Sequence, residues 1–401
     1  MPIDALILNT AVLDLRSARF DFIDRLVGAG GLAKCPPTAM PSYTPDELED
    51  IVAEGGATPG GCANVAPLLA RAGLRVAVGA WIGAGPHEGL DIQGRAFRDR
   101  LAAAGVDVSA LRVHPSLPTG TTFIHDTPTG ERGGIAYFPN ANDDFDFDVF
   151  EREADRLGPS LVHYMYSGLS ARGDANGGRD LADFLFRCRE RGALTMADSH
   201  TLTGDPAAVI AGRRPVEAYR LLEPLWACMD VFFTSLDEAR MILNTLEPDH
   251  ALDLDDADAV GLGFLEWAAA RAGGGRPRLF GVTVSDGAIA TRIAPDGRPA
   301  PILRVRSRFL SGEVVDLVGA GDSFRAGLIL YLTRFRAEFE AGRCDVETAV
   351  QAGNLMASLF IKAPLQDRCR WIPPADSLLR VATGRRDYTS FGDLLVDLRT
   401  V

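Results

Sequence analysis

The sequence predicts an α/β fold: a doubly wound, mostly parallel sheet with helices on both faces, carrying a small β lid. Three observations point there. The 401-residue chain is 47% hydrophobic, enough apolar material to bury a large core in one big α/β domain or two smaller ones. Beyond about residue 155, short apolar runs alternate with segments of helical period, the rhythm of strands joined by crossover helices. Residues 111–138 break that rhythm with three β-rich runs, LRVH, TGTTFIHD and GGIAYF.

In chain order, the apolar run at 5–8 predicts a buried strand that delivers Asp14 at its end. Residues 15–59, rich in Pro and Gly, read as an insertion or flap. The stretch PGGCANVAPLLARAGLRVAVGAWIG predicts a turn at Gly60 and Gly61 and a helix burying Val65, Leu68 and Leu69. A stop at Gly73 and a strand to Ala80 follow. A second helix at 91–104 ends at Gly105. The β-rich runs, with TPTG at 127–130 as a turn, predict a hairpin lid or an extension of the sheet edge. Strands at 160–166, 193–198, 229–234 and 279–285 then alternate with helices near 176–191, 216–227, 236–245 and 259–272. That order predicts a mostly parallel sheet covered on both faces. The core is therefore expected in 1–14, 60–110 and 140–401, and the lid in 111–139 with part of 15–59.

Composition excludes some functions. A formal charge of -13 and a pI near 5.0 repel a polyanion, and no basic run is long enough to track a phosphate backbone, so nucleic acid is not an expected partner. The six cysteines, Cys35, Cys62, Cys188, Cys228, Cys344 and Cys369, include no C-x-x-C pair and read as reduced, mostly buried thiols. The N-terminus MPIDALILNT carries Asp4 where a signal peptide is cationic, and no apolar run reaches spanning length, so the expectation is a cytoplasmic chain without a membrane anchor.

Two glycine loops invite a phosphate reading. VGAGGLA at 27–33 has the outline of a dinucleotide fingerprint, but Pro36 and Pro37 end any helix that would aim at a pyrophosphate. A Walker A loop fails as well, because neither lysine, Lys34 or Lys362, follows a glycine and precedes Ser or Thr. DLVGAGDSFRAG at 316–327 passes the same test. A strand is expected at 314–316, and Phe324, Leu328, Ile329, Leu332 and Phe335 recur at helical spacing after it. Gly319, Ala320 and Gly321 leave N–H groups uncovered at the positive end of a helix, beside the Asp322 carboxylate. Two uses fit these residues. One is phosphoryl transfer, with Asp322 taking the proton of an attacking hydroxyl; the other is a tight turn with Asp322 as a helix cap.

DLVGAGDSFRAG resembles the C-terminal signature of the ribokinase-like (PfkB) carbohydrate kinase family. PGGCANVAPLLARAG resembles its N-terminal signature, GG-x-x-x-N followed by a small-residue helix. Their order and separation also match, so the resemblance spans about residues 5–365. It implies Asp322 as catalytic base, with the backbone of Gly319, Ala320 and Gly321 as anion hole. It further implies that Asp14 hydrogen-bonds sugar hydroxyls and that Gly60, Gly61 and Asn64 hold the sugar. A carboxylate and an amide together satisfy the donor and acceptor sides of adjacent hydroxyls. The residues alone also allow Asp14 as a solvated loop acid and Asn64 as a helix N-cap. GLDIQG at 89–94 resembles the family's D-x-x-G step, with Asp91 and Gly94. PTGTT at 118–122 and GERGGIAYFPNAN at 130–142 resemble the lid strands, where Arg132 is either an anion contact or simply solvated.

On the nucleotide side, Asp316 resembles the acid that opens D-T-x-G-A-G-D, near a monovalent-cation site. Leu317 replaces the threonine and removes a hydroxyl, which leaves cation use open. SLDE resembles N-x-x-E, whose glutamate, here Glu238, organises hydrated magnesium, with Ser235 in place of the asparagine. Thr283, Ser285 and Gly287 resemble the loop beside the nucleotide, with Ser285 replacing a glycine. Asn354 stands where the family lines the adenine pocket; an ordinary helix amide is the other reading. The implied cofactors are ATP and Mg2+.

The implied activity is ATP-dependent phosphorylation of a hydroxyl on a sugar or sugar-like small molecule. A nucleoside kinase of the same fold is a rival, and would need an apolar cover for which Phe123, Tyr137 and Phe138 are candidates. A catalytically silent sugar-binding regulator is another, favoured by Ser235, Ser285 and Leu317 and opposed by the intact GAGD. An exposed edge on the lid sheet predicts a homodimer paired through the lid.

Overall fold

The computed structural model describes residues 2–17, 20–39, 41, 45–125 and 134–399. In chain order its strands are β1 (Ala5–Asn9), β2 (Ala11–Ser17), β3 (Leu32–Lys34), β4 (Ala57–Gly61), β5 (Val76–Gly79), β6 (Trp81–His87), β7 (Arg112–His114), β8 (Gly120–His125), β9 (Ile135–Phe138), β10 (Leu161–Ser167), β11 (Leu194–Ser199), β12 (Val231–Ser235), β13 (Arg278–Val284), β14 (Gly287–Ile293) and β15 (Leu303–Arg306).

Eight of them form the main sheet in the order β15-β14-β13-β12-β11-β10-β1-β5. It is parallel from β13 to β5, and β14 and β15 add an antiparallel edge. The later parallel strands lie where the spacing predicts them, because each is an apolar run buried on both faces. The segment 217–227, expected as a helix, is a 3-10 stretch with Pro224 inside it. Proline has no N–H to donate and crowds the carbonyl four residues back, so an α-helix does not continue through it.

The second sheet is the lid, ordered β3-β9-β8-β2-β4. Here the structure corrects three expectations. The first strand ends at Asn9, whose φ of 84° turns the chain out of the main sheet, so Asp14 lies in the middle of β2 in the lid. Residues 11–14 and 60–61, expected in the core, thus belong to the smaller sheet together with 15–17 and 57–59. Part of the 15–59 stretch joins this sheet, with β3 and most of β4 forming its two edges. LRVH pairs with β6 in a separate two-stranded sheet. The TPTG turn and Arg132 lie outside the described residues.

The expected strand at 314–316 does not form. Val315 and Asp316 instead donate their N–H groups to Ile361 O at 2.9 and 3.2 Å, and Val314 and Val315 are exposed. Among the described residues no strand pairs with them, and the turn into the next helix is held by the end of the Val346–Ile361 helix. The helix that follows, Ala320–Arg334, is buried along most of its length and packs on that same helix. Among the described residues no helix is long and apolar enough to cross a membrane.

Candidate active site

The Ala320–Arg334 helix starts at Gly319, whose φ of 85° is left-handed. In its first turn the N–H groups of Gly321 and Asp322 have no carbonyl within the helix to bond. They stand at the positive end of the helix dipole and border a cavity of about 260 Å³ shared with Ser235, Glu238 and Thr283.

Asp322 does not cap this helix, because Gly319 fills the N-cap position and no side chain caps it. The buried carboxylate turns to other partners. Its Oδ2 accepts from the Tyr166 hydroxyl at 2.6 Å and from Asn64 Nδ2 at 3.0 Å, while Oδ1 faces Arg325 Nη1 at 3.4 Å. Nor does Asn64 cap a helix: it closes the 3-10 turn Cys62–Asn64, Val65 caps the next helix, and the amide serves Asp322.

Asp322 and Asn64 also border a second cavity, of about 60 Å³, under the lid. Asp14 lines it from β2 and is buried, so it is no solvated loop acid. Its Oδ1 accepts from Thr122, and burial pushes its carboxyl above the ordinary range against the pull of Arg16. Gly60 lies across from β2 with no room for a side chain, since a Cβ there would stand 2.4 Å from Asp14 Oδ2. The apolar wall comes from Leu32, Ile124, Ile135 and Tyr137. Phe123 and Phe138 face the other way, in edge contact with each other at 5.5 Å, because successive strand residues point to opposite faces.

On the far side of the anion cavity, a third space of about 350 Å³ brings together Thr283, Ser285, Gly287 and Asn354 and is also lined by Leu310, Val314, Leu317 and Lys362. It shares Ala320 and Gly321 with the anion cavity, which in turn shares Gly319 and Asp322 with the lid cavity. The three spaces form one cleft with Asp322 at the middle junction. Lys362 donates to Phe309 O, Ser311 O and Ser358 Oγ, and burial lowers its pKa to about 8.

Ser235 and Glu238 form a capping box on the Leu236–Leu246 helix, with Thr234 also donating to Glu238 Oε2 at 2.8 Å. Both residues border the anion cavity beside Asp237. Among the described residues no group of three or more His, Cys, Asp or Glu side chains is placed to cage a metal.

Asp316 borders none of these three spaces. Its Oδ2 pairs with Arg16 at 3.1 Å and Arg368 at 2.5 Å, and its Oδ1 accepts from Val318 N at 3.0 Å. Arg368 also donates to Phe360 O and Ala363 O. Asp91 likewise serves as a staple: it caps the Ile92–Ala103 helix through Gly94 N and accepts from Thr119 N and Oγ1. Sequence reasoning missed Tyr166, Arg325, Arg16, Arg368 and Lys362. Of these only Arg325 carried a local signal, a charge one helical turn after Asp322 within an apolar stretch.

Comparison with known proteins identifies the family and the fold. The family model for the pfkB family carbohydrate kinases matches residues 38–261 and 304–371. Among solved structures, a probable sugar kinase from Rhizobium etli is 20% identical with a TM-score of 0.59, covering 92% of this chain and 97% of its own. Adenosine kinase from Schistosoma mansoni in complex with 2-fluoroadenosine is 14% identical with a TM-score of 0.64, covering 90% and 95%. An uncharacterized sugar kinase from Pyrococcus horikoshii in complex with ATP is 16% identical with a TM-score of 0.57, covering 94% and 97%. No curated protein sequence matches.

Proposed function

Since the chain belongs to the pfkB family of carbohydrate kinases, we propose that it transfers the γ-phosphoryl group of ATP to a hydroxyl of a sugar or sugar-like molecule held under the lid. The observation that carries this is the position of Asp322, where the lid cavity meets the anion cavity, with uncovered N–H groups beside it.

Asp14 and Asn64 orient the acceptor so that one hydroxyl lies against Asp322, which receives its proton as the phosphoryl group moves. Gly321 and Asp322 N–H groups stabilise charge on the transferring oxygens without reorganising. Asn354, Lys362 and the 283–287 loop border the nucleotide end of the cleft. Glu238 and Asp237 are the carboxylates that would hold a hydrated magnesium ion, which would supply neutralisation of phosphate charge. The lid sheet keeps water away from the site.

The apolar wall of Leu32, Ile124, Ile135 and Tyr137 favours a second reading, a nucleoside acceptor whose ribose meets Asp14 and whose base lies against that wall. ATP consumption by the purified protein against sugars, sugar acids, sugar phosphates and nucleosides separates the two by naming the acceptor. Stabilisation by a ligand without turnover would instead favour a silent binder.

Two further outcomes are expected. In Gly60→Ala the added methyl displaces the Asp14 carboxylate, and an error of about 1 Å in a positioning group costs on the order of 10²-fold. Steady-state kinetics should show that loss in kcat/KM for the acceptor while KM for ATP holds. Because Asp316 already faces two guanidinium charges, turnover should not change when potassium is replaced by a bulky organic cation.

A further inference from the structure

Asp322 sits in a closed ring of buried groups that the transfer step above does not use. Arg325, one helical turn further on, places Nη1 3.4 Å from Asp322 Oδ1, Nε 3.2 Å from Asp198 Oδ2 and Nη2 3.1 Å from Phe233 O. Asp198, fully buried on β11, accepts the N–H of Tyr166, and the Tyr166 hydroxyl returns to Asp322 Oδ2. Tyr166 takes a φ of 60° where β10 loses its register with β11. A non-glycine residue holds that conformation only where its surroundings fix it.

This ring divides the two oxygens of Asp322. Oδ1 faces the arginine, and Oδ2 points to Tyr166 and Asn64, both of which line the lid cavity. Burial works against a charged Asp198, and Arg325 with His163 outweighs it, so its carboxyl is held below the ordinary range. Asp198 in turn keeps the guanidinium charged and in place at the back of the site.

We propose that Arg325, anchored by Asp198, is a positioning residue that holds the Asp322 carboxylate in place and aims Oδ2 at the acceptor. The proposal rests on the kinase reading for what the proton transfer accomplishes, but the Arg325–Asp322 coupling stands apart from it. Other ionisable groups face the pair: Asp14 on β2, Cys62 on its turn, Tyr166 on β10, Asp198 on β11 and His200 just beyond it, with Glu238 toward Arg325 and His163 toward Asp198.

The test follows the Asp322 carboxyl signal by NMR on the full chain labelled with carboxyl-13C aspartate, the signal identified by its loss in Asp322→Asn, together with steady-state kinetics for the acceptor. In Arg325→Met that signal should move and kcat should fall on the order of 10²-fold, the effect of an error of about 1 Å in a positioned group, while KM for ATP holds. Arg325→Lys, which still reaches toward both carboxylates, should recover much of that loss. Arg325→Gln carries the same test should the Met variant not fold. An unmoved Asp322 signal in the Met and Gln variants, or an equal loss in the Met and Lys variants, overturns the proposal. A wild type that phosphorylates no acceptor overturns the kinase reading, while the Asp322 signal still decides the pair.

Discussion

Asp322→Asn should lower kcat by about 10²–10⁴-fold, the range over which a positioned proton acceptor contributes, with acceptor affinity little changed. Asparagine has nearly the same shape and still offers one oxygen to Tyr166 and Asn64, so the ring around it persists. What is lost is the capacity to take a proton at the junction of the two cavities. The helix start is unaffected, because Gly319 and not Asp322 occupies the N-cap. Calorimetric binding of the acceptor and single-turnover phosphorylation, measured on the same preparation, check both halves. Full activity in the variant would remove Asp322 from the chemistry, and loss of acceptor binding with loss of turnover would make it a binding residue only.

Much of the cleft was legible in the sequence because its residues have few uses at those spacings. Two adjacent glycines before an amide, and G-A-G before an acid at a helix start, each serve close backbone approach, and both stretches meet at Asp322 through Asn64, 258 residues apart in sequence. The parallel strands were legible for a different reason: an apolar run buried on both faces needs no alternation to be recognised. The remainder was hidden where the signal is tertiary. Tyr166 reaches Asp322 across 156 residues, and Asp316 finds Arg16 across 300. No local pattern reports such pairs. The turn at Asn9 that moves Asp14 into the lid depends on one residue adopting a left-handed conformation, which asparagine tolerates but does not announce. The alternation along β8 and β9 placed Phe123 and Phe138 on the wrong face for a cover, and Ile124, Ile135 and Tyr137 on the right one.

Gly319→Ala should harm stability and turnover together, and Gly321→Ala separates the two effects. At Gly319 the backbone is left-handed, which costs an L-residue about 1–2 kcal/mol. A Cβ there would also stand 2.8 Å from the Phe360 ring and 3.1 Å from Asn64 Cγ. The ring lies in the packed core, so the helix start or Asn64 must give way, and either moves a group that meets the base or the anion. Loss of one hydrogen-bond donor to a developing charge is worth about 10²–10³-fold in kcat, and that loss should accompany a lower denaturation midpoint. Gly321 has an ordinary backbone conformation, and a methyl there meets only Arg325 Nη1 at 3.4 Å. The fold should hold and the midpoint should not fall. Because Gly321 borders both the anion and the nucleotide cavities, lost turnover in a stable Gly321→Ala protein would locate the phosphate chain against that backbone. Wild-type kinetics in that variant would mean that the phosphates pass elsewhere in the cleft.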